Sequence, residues 1–178
     1  MYIKDYKMYF FKMKIKALIF KLVLFFFLTS NSFAEETKSG LKFYTGMFDF
    51  SDDGKRSALY GIEHQNENLY RDTIFGRVSP ITGAMITQDA AAYVYTGVEV
   101  NYDLGPIKLT PSFTPGLYSQ GDGKDLGHPL EFKSEVQLSM DLGETTNFGM
   151  SYNHVSNASL GDKNPGANSY MFNFLKKF

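Results

Sequence analysis

The sequence contains no cysteine, no tryptophan and only three histidines. The absence of cysteine excludes disulfides, thiol nucleophiles and thiolate metal sites. The three histidines (His64, His128 and His154) are too far apart in sequence to form a zinc-binding pattern, and no Gly-rich phosphate loop is present. The sequence therefore implies no metal and no cofactor, and an exported domain of this kind must gain its stability from burial, a closed sheet or a membrane.

An excess of basic charge is also absent from most of the chain. Residues 35–178 carry 12 Lys and Arg against 18 Asp and Glu, a net charge of −6. A nucleic-acid partner would require a basic patch, because neutralised phosphates supply most of the affinity for DNA or RNA. Nucleic acid is therefore excluded as a partner.

Residues 1–34 have the composition of a secretory signal peptide. A lysine-rich start precedes the apolar run 17–28, and Ser32-Phe33-Ala34 forms a small-x-small cleavage site. The apolar run is shorter than the ~20 residues of a spanning helix. An uncleaved anchor is the alternative, and the length of the polar start favours Met8 or Met13 as the true initiator. Residues 35–178 then suit a single domain.

Beyond residue 34, the chain has no second hydrophobic run of the length that a spanning helix needs. Apolar and polar residues instead alternate over 93–104 and 131–142, which is the period of a strand with one apolar and one polar face. The apolar faces comprise Val94, Thr96, Val98, Val100, Tyr102 and Leu104 in the first segment, and Phe132, Ser134, Val136, Leu138, Met140 and Leu142 in the second.

Alternation and turn residues together predict eight strands. They cover residues 41–49, 57–66, 71–86, 90–104, 106–118, 128–142, 145–158 and 168–178. Eight strands of about ten residues can close into the smallest membrane barrel, and closure leaves no unpaired edge in lipid. Residues 35–178 are therefore predicted to be an all-β, eight-stranded antiparallel transmembrane β-barrel.

Three further features bear on this barrel. Tight turns at 103–106 and 141–144 contrast with longer polar connections around 52–55 and 121–127, as in outer-membrane barrels. The 29 Phe and Tyr residues supply interfacial girdles. The chain ends in Phe178, which resembles an outer-membrane assembly signal although Lys176 interrupts its apolar face.

A soluble periplasmic barrel or sandwich remains the alternative. The side chains predicted to line the interior are Glu63, Glu99, Glu131, Glu135 and Arg71.

His154 and Ser156 form the candidate chemical site. A spacing of two places both side chains on one face of a strand, together with Phe148, Met150 and Tyr152. A nucleophile and its base would then lie on the apolar side of the sheet. This arrangement predicts chemistry on a lipid.

The residues around this pair resemble a known family. The run His154-Val155-Ser156-Asn157-Ala158, followed by Asn164-Pro165-Gly166, is similar to the signature of the lipid A 3-O-deacylases, also described as acyloxyacyl hydrolase-like. The motif resemblance covers residues 154–168, and the resemblance in plan covers the whole of 35–178. It implies an outer-membrane barrel that hydrolyses an ester-linked hydroxyacyl chain of lipid A in the outer leaflet.

The resemblance also implies roles for individual residues. Ser156 would be the nucleophile, His154 its general base, and Asn164, ten positions after the histidine, the oxyanion donor. The family has a glutamate fourteen positions after the histidine, whereas this chain has Asn168. An amide can orient the histidine by accepting a hydrogen bond, but it cannot stabilise an imidazolium as a carboxylate does. The resemblance therefore predicts a site whose third member orients the base without adding a charge.

Two further residues have supporting roles in this prediction. Asp162, in the connection before the last strand, is an alternative orienter of His154. Asn157 either holds the site together or serves the structure alone. Asn168 is expected on the same outward face as Tyr170, Phe172 and Phe174, and hence beside His154.

The sequence leaves two rival functions open. A non-catalytic structural or adhesion barrel would use the same scaffold without chemistry. A periplasmic lipid-binding barrel would turn its apolar alternation inward. The enzyme hypothesis predicts that the substrate is lipid A or lipopolysaccharide and that the protein lies in the bacterial outer membrane. It requires no cofactor and is compatible with a homodimer.

Overall fold

The computed structural model describes residues 39–52 and 54–178. The predicted signal segment, residues 1–34, and any choice of initiator therefore lie outside the described residues. Within the described part of the chain, no helix is both long and apolar enough to cross a bilayer.

Eight long strands form one closed antiparallel sheet, which confirms the predicted eight-stranded barrel. Each strand pairs with its neighbours in sequence, and the first strand also pairs with the last, with Phe43 opposite Phe174. Closure leaves neither long edge of the sheet unpaired, as lipid requires. The strands are β1 Ser39–Phe48, β2 Ser57–Asn66, β3 Gly76–Thr87, β4 Ala92–Val100, β5 Lys108–Ser119, β6 Leu130–Asp141, β7 Thr146–Ser156 and β8 Ala167–Lys177.

Two predicted strands are divided in the structure. The segment predicted as 71–86 consists of a short strand, Arg71–Thr73, a two-residue turn, and β3. The turn forms because the Thr73 hydroxyl donates to the Gly76 carbonyl and accepts from the Phe75 N–H. The segment predicted as 90–104 ends in a separate short strand, Tyr102–Asp103, which pairs with the start of β5.

Two other expectations were wrong. Arg71 is exposed, because its short strand pairs it with Val78 on the outward row of β3. The contrast between short and long connections is also incomplete. The connection 67–75, which contains the helical turn Glu67–Leu69, lies at the same end as the tight turn 142–145. The short connection 88–91 lies at the opposite end.

The alternation of each strand determines which side chains face outward. Along β6 the apolar residues are exposed while Lys133, Glu135 and Gln137 are buried. The same division holds on β4, where Tyr93, Tyr95 and Glu99 point inward. An apolar exterior around a polar interior suits a protein surrounded by lipid. It contradicts the periplasmic lipid-binding alternative, which required the apolar face to be inside.

Charged side chains pair with one another in the interior, beside buried aromatic and aliphatic residues. Lys42 Nζ lies 2.6 Å from Glu63, and Lys133 Nζ lies 2.9 Å from Glu135. Tyr95 donates to Glu63 at 2.8 Å. Four of the five predicted interior residues (Glu63, Glu99, Glu131 and Glu135) are buried here. Because buried charges need partners, these contacts form a solid polar core in the barrel.

Candidate active site

His154 and Ser156 lie near the end of β7 on the outer wall of the barrel. Phe148, Met150 and Tyr152 precede them on the same face and are exposed. The predicted location of the pair on the apolar surface therefore agrees with the structure. The strand ends at Ser156, because Ala158 and Ser159 adopt positive φ angles and turn the chain away.

Asn168 lies directly opposite His154 on β8. The amide oxygen of Asn168 is 2.8 Å from His154 Nδ1, and it also accepts a hydrogen bond from the Tyr152 hydroxyl at 2.8 Å. The amide nitrogen of Asn168 donates to the Ser51 hydroxyl at 3.1 Å. Since an amide oxygen only accepts, His154 Nδ1 carries the hydrogen and Nε2 is left as the basic nitrogen.

The second nitrogen of His154 is directed towards the loop end of β7. A Cβ atom built on Gly166 would lie 3.2 Å from Nε2 and 2.7 Å from Cε1. Gly166 immediately precedes Ala167, which pairs with Val155, so it lies at the ladder position level with Ser156. His154 Nε2 thus points towards the pair of opposite residues formed by Ser156 on β7 and Gly166 just before β8.

Two serines flank His154, and only one of them is part of the predicted site. Ser134 lies opposite His154 on β6 and is exposed on the same outer face. Ser156 is half-buried two residues further along β7. Among the described residues no hydrogen bond joins the Ser156 hydroxyl to the imidazole. Catalytic hydrogen bonds commonly tighten only when substrate is bound. Sequence reasoning missed Ser134, because the pairing of β6 with β7 has no local signal.

Asn164 and Asn157 hold the connection 157–166 against the end of β7. The Asn157 backbone N–H donates to Asn164 Oδ1 at 3.0 Å, and no residue within 39–52 or 54–178 accepts a hydrogen bond from the Asn164 amide nitrogen. The buried Asn157 side chain donates to the carbonyls of Leu126 and Lys163 at 2.7 and 2.8 Å. Asn157 was predicted to support the site or the structure alone, and its side chain does join the connections 120–129 and 157–166.

A second contact joins the same two loops at the surface. Lys163 Nζ lies 2.6 Å from Asp125, whose carboxylate also accepts the Gly127 N–H at 2.8 Å. These two hydrogen bonds, led by that of Lys163, lower the pKa of Asp125 below its usual value. The Lys163–Asp125 ion pair therefore stabilises the fold at pH values above the ordinary pKa of an aspartate. This stabilisation is lost as the pH falls through the lowered pKa of Asp125.

Asp162 is exposed in the connection 157–166. No hydrogen bond or ion pair joins it to another described residue. The partner that contacts His154 is Asn168, so the geometry favours Asn168 over Asp162 as the orienter.

The β1–β2 connection forms one side of the site, which the sequence did not indicate. The Phe50 N–H donates to the Asn168 carbonyl at 3.0 Å, and the Phe50 ring packs against Tyr170 and Tyr152. Asp49 is buried, accepts from the Asn168 N–H at 3.4 Å and pairs with Lys124 at 2.5 Å. These contacts join residues at least 75 positions apart, so no local motif could have revealed them.

A methyl group at position 166 is expected to displace the ring of His154, the predicted general base. Gly166→Ala would place its Cβ 2.7 Å from His154 Cε1 at a φ of +62°, so the ring must move. We expect deacylation to fall roughly 10- to 100-fold, because an ångström of displacement can cost about two orders of magnitude. The measurement is the rate of acyl release by purified, folded variants.

Gly105→Ala is the matched control for this change. Gly105 also has a positive φ, of +83°, but its added Cβ would meet nothing within 4 Å. Both variants carry a similar backbone penalty of about 1 kcal/mol. Equal loss of activity in the two variants would mean that backbone strain, not contact with His154, explains the effect.

Comparison with known proteins gives a consistent result. The family model described as lipid A 3-O-deacylase (PagL) matches residues 30–177. The crystal structure of the outer membrane enzyme PagL is similar, with a TM-score of 0.59 and 16% identity over 77% of this chain and 98% of that chain. Neisserial surface protein A (NspA) is similar with a TM-score of 0.54 and 10% identity, over 81% and 98%. At such identities the structures show the fold alone. No curated protein matches the chain significantly.

Proposed function

This chain belongs to the lipid A 3-O-deacylase (PagL) family, and from that premise we propose that it hydrolyses the 3-O-linked hydroxyacyl ester of lipid A by a Ser-His mechanism. Ser156 is the nucleophile, His154 the general base, Asn168 the residue that orients His154, and Asn164 the oxyanion donor. Family membership and the outer-membrane barrels that the chain resembles support the outer membrane as its location.

The single observation that carries the mechanism is the hydrogen bond between His154 and Asn168. Because His154 donates its Nδ1–H to the Asn168 amide oxygen, Nε2 is the unprotonated nitrogen of the neutral ring, as a general base requires. The amide of Asn168 keeps this orientation because its nitrogen donates to Ser51 while its oxygen also accepts from Tyr152. Asn168 thus retains the positioning role, although it lacks the charge of the family's glutamate and is one methylene shorter.

Acylation begins when the Ser156 hydroxyl attacks the ester carbonyl carbon and His154 Nε2 takes its proton. The C–O bond to the sugar then breaks, and the imidazolium returns the proton to the departing sugar oxygen. Water, activated by the same nitrogen, hydrolyses the acyl-Ser156 ester and releases the hydroxy fatty acid. This cycle needs no cofactor, and each proton that His154 accepts is returned in the following half-step.

The negative charge of each tetrahedral intermediate requires a donor next to Ser156. Asn164 is suited to this role, since its oxygen accepts the Asn157 N–H and its amide nitrogen donates to no other residue that the structure describes. A side-chain amide of this kind contributes about 3 kcal/mol in other hydrolases. The Asn157 side chain supports the donor indirectly, because it holds the neighbouring loops together.

The apolar wall below the site is suited to the acyl chain of the substrate. An open groove of about 400 Å³ on the wall is lined by Phe148 of β7 and Phe172 of β8, together with Phe43 and Tyr60. Phe172 lies four residues from Asn168, or roughly 13 Å along the strand. Met150 lies on the same face between Phe148 and the site. An acyl chain could lie on this wall while its ester remains at the headgroup boundary.

Mass spectrometry of lipid A tests the proposed function. The folded chain, in detergent micelles, is incubated with lipid A, and the products are analysed for loss of one 3-hydroxyacyl group. Lipid A lacking its 3-O-linked ester serves as the matched substrate control and should remain unchanged. Intact lipid A from protein shown to be a folded barrel would favour the non-catalytic structural barrel, with the missing carboxylate at Asn168 as the reason.

A further inference from the structure

The barrel end opposite the candidate site carries an exposed apolar lip that the enzyme function does not use. Ile74 and Phe75 form the tip of the hairpin between the short strand Arg71–Thr73 and β3, and they are 93% and 68% exposed. Leu104 and Ile107, in the β4–β5 connection, are exposed beside it. We call these four residues, with Tyr102, the apolar lip.

The residues of this hairpin tip are unusual for a turn in water. Tight turns are normally made by Gly, Asn, Asp, Ser or Pro, whose backbone preferences and polar side chains suit solvent. Here the two central positions are isoleucine and phenylalanine, and neither side chain is covered by the described part of the protein. Such clustered apolar exposure marks a surface that contacts another apolar phase.

Contacts at the base of the hairpin show that it leans towards the lipid-facing side of the wall. The Tyr102 hydroxyl donates a hydrogen bond to the Phe75 carbonyl. A Cβ built on Gly76 would lie 3.3 Å from Val100 Cγ1 and 3.5 Å from Tyr102 Cε1. Val100 and Tyr102 continue the outward row of β4. The apolar lip is therefore continuous with the surface that faces lipid and does not fold over the polar interior.

Polar groups frame the lip as they do at a membrane interface. The Arg77 guanidinium lies 4.0 Å from the centre of the Tyr70 ring, and it also pairs with Asp72 at 3.6 Å. Tyr102 combines a ring on the apolar side with a bonded hydroxyl. Aromatic residues with polar ends, mixed with arginine, are typical of the boundary between acyl chains and headgroups.

We propose that the apolar lip is a membrane-interface anchor that inserts Ile74 and Phe75 at the headgroup–acyl boundary of the leaflet opposite the candidate site. The occupant is phospholipid, because the lip extends the lipid-facing wall without a break. The anchor would fix the depth of the barrel at one end and thereby the level of His154 and Ser156 at the other. It does not depend on whether the site is catalytic.

The absence of tryptophan from the chain permits a direct test. Phe75→Trp gives a protein whose only indole lies at the hairpin tip, and Ile74→Trp gives an independent second reporter. Each variant is folded into phosphatidylcholine vesicles, with or without phosphatidylcholine brominated on its acyl chains near the headgroup. Tryptophan emission and its quenching by bromine are then measured.

Two single-tryptophan variants provide the reference values. Phe113→Trp lies on the lipid-facing wall of β5, and Glu144→Trp lies in the exposed turn at the same barrel end as the lip. We expect the tip reporters to emit at shorter wavelength than Glu144→Trp, with about half or more of the bromine quenching of Phe113→Trp.

Two results would overturn the proposal. Emission and quenching equal to those of Glu144→Trp would place the tip in water. Short-wavelength emission without bromine quenching would place it against protein, as in contact with a second copy of the chain. Lipid A hydrolysis is not part of the readout, so failure of the anchor and failure of the proposed enzyme function are distinguishable.

Discussion

Ser156→Ala is expected to abolish deacylation, with a fall in kcat/KM of roughly 10⁴-fold or more, because the loss of a serine nucleophile in other hydrolases has effects of that size. Substrate binding should change little, since the Ser156 hydroxyl is not part of the apolar wall. The measurement is release of hydroxy fatty acid from lipid A, with barrel folding checked for each variant.

Ser134→Ala is the matched control for this experiment. Both serines are on the outer face within reach of His154, one on its own strand and one opposite it on β6. The direction of His154 Nε2 towards the Gly166 side favours Ser156. We therefore expect Ser134→Ala to keep its rate within a factor of about three, since surface substitutions usually have small effects.

The opposite pattern would reassign the nucleophile. If Ser134→Ala lost activity while Ser156→Ala retained it, the attack would come from β6 and Asn164 could not be the oxyanion donor. If both variants remained active, neither Ser156 nor Ser134 would be the nucleophile, and the proposed mechanism would be wrong.

The barrel was predictable because the alternation of apolar and polar residues that produces its strands is repeated along the chain. Alternation with period two is present in segment after segment, and it identified the outward row of β6 correctly from Phe132 to Met140. Interruptions of that pattern were harder to locate. Residues 71–75 look like a continuous strand, and only the hydrogen bonds of Thr73 reveal the turn there.

The placement of His154 and Ser156 on one face of β7 was predictable for the same reason, and the surroundings of the pair were not. His154 and Ser156 are two positions apart, so the strand period alone places them side by side. Asn168 was found through the resemblance and its parity on β8. Ser134 reaches the site through the pairing of β6 with β7, and Ser51 through the packing of the β1–β2 connection, 117 positions from Asn168. Such contacts depend on register, which no local pattern records.

Introducing a negative charge at position 168 is expected to have the second large effect on the rate of deacylation. Asn168→Asp keeps the size of the side chain and replaces its amide by the kind of group that the family resemblance expects there. The His154 Nδ1–H would then donate to a carboxylate, a stronger hydrogen bond that also stabilises the imidazolium formed during attack. The difference between neutral and charged hydrogen bonds is about 1–2 kcal/mol. We therefore expect kcat to rise roughly 5- to 30-fold.

The surroundings of Asn168 decide whether this gain can be realised. The hydroxyls of Ser51 and Tyr152 can both donate to a carboxylate, so the new charge would have partners. Asp49 lies close to the Asn168 backbone, but Lys124 already pairs with its carboxylate and offsets the repulsion. The experiment compares kcat for Asn168→Asp, Asn168→Ala and the unaltered protein. Alanine should lower kcat because nothing then orients His154. An aspartate variant no faster than the unaltered protein would show that orientation of the imidazole, not charge beside it, limits this member of the family.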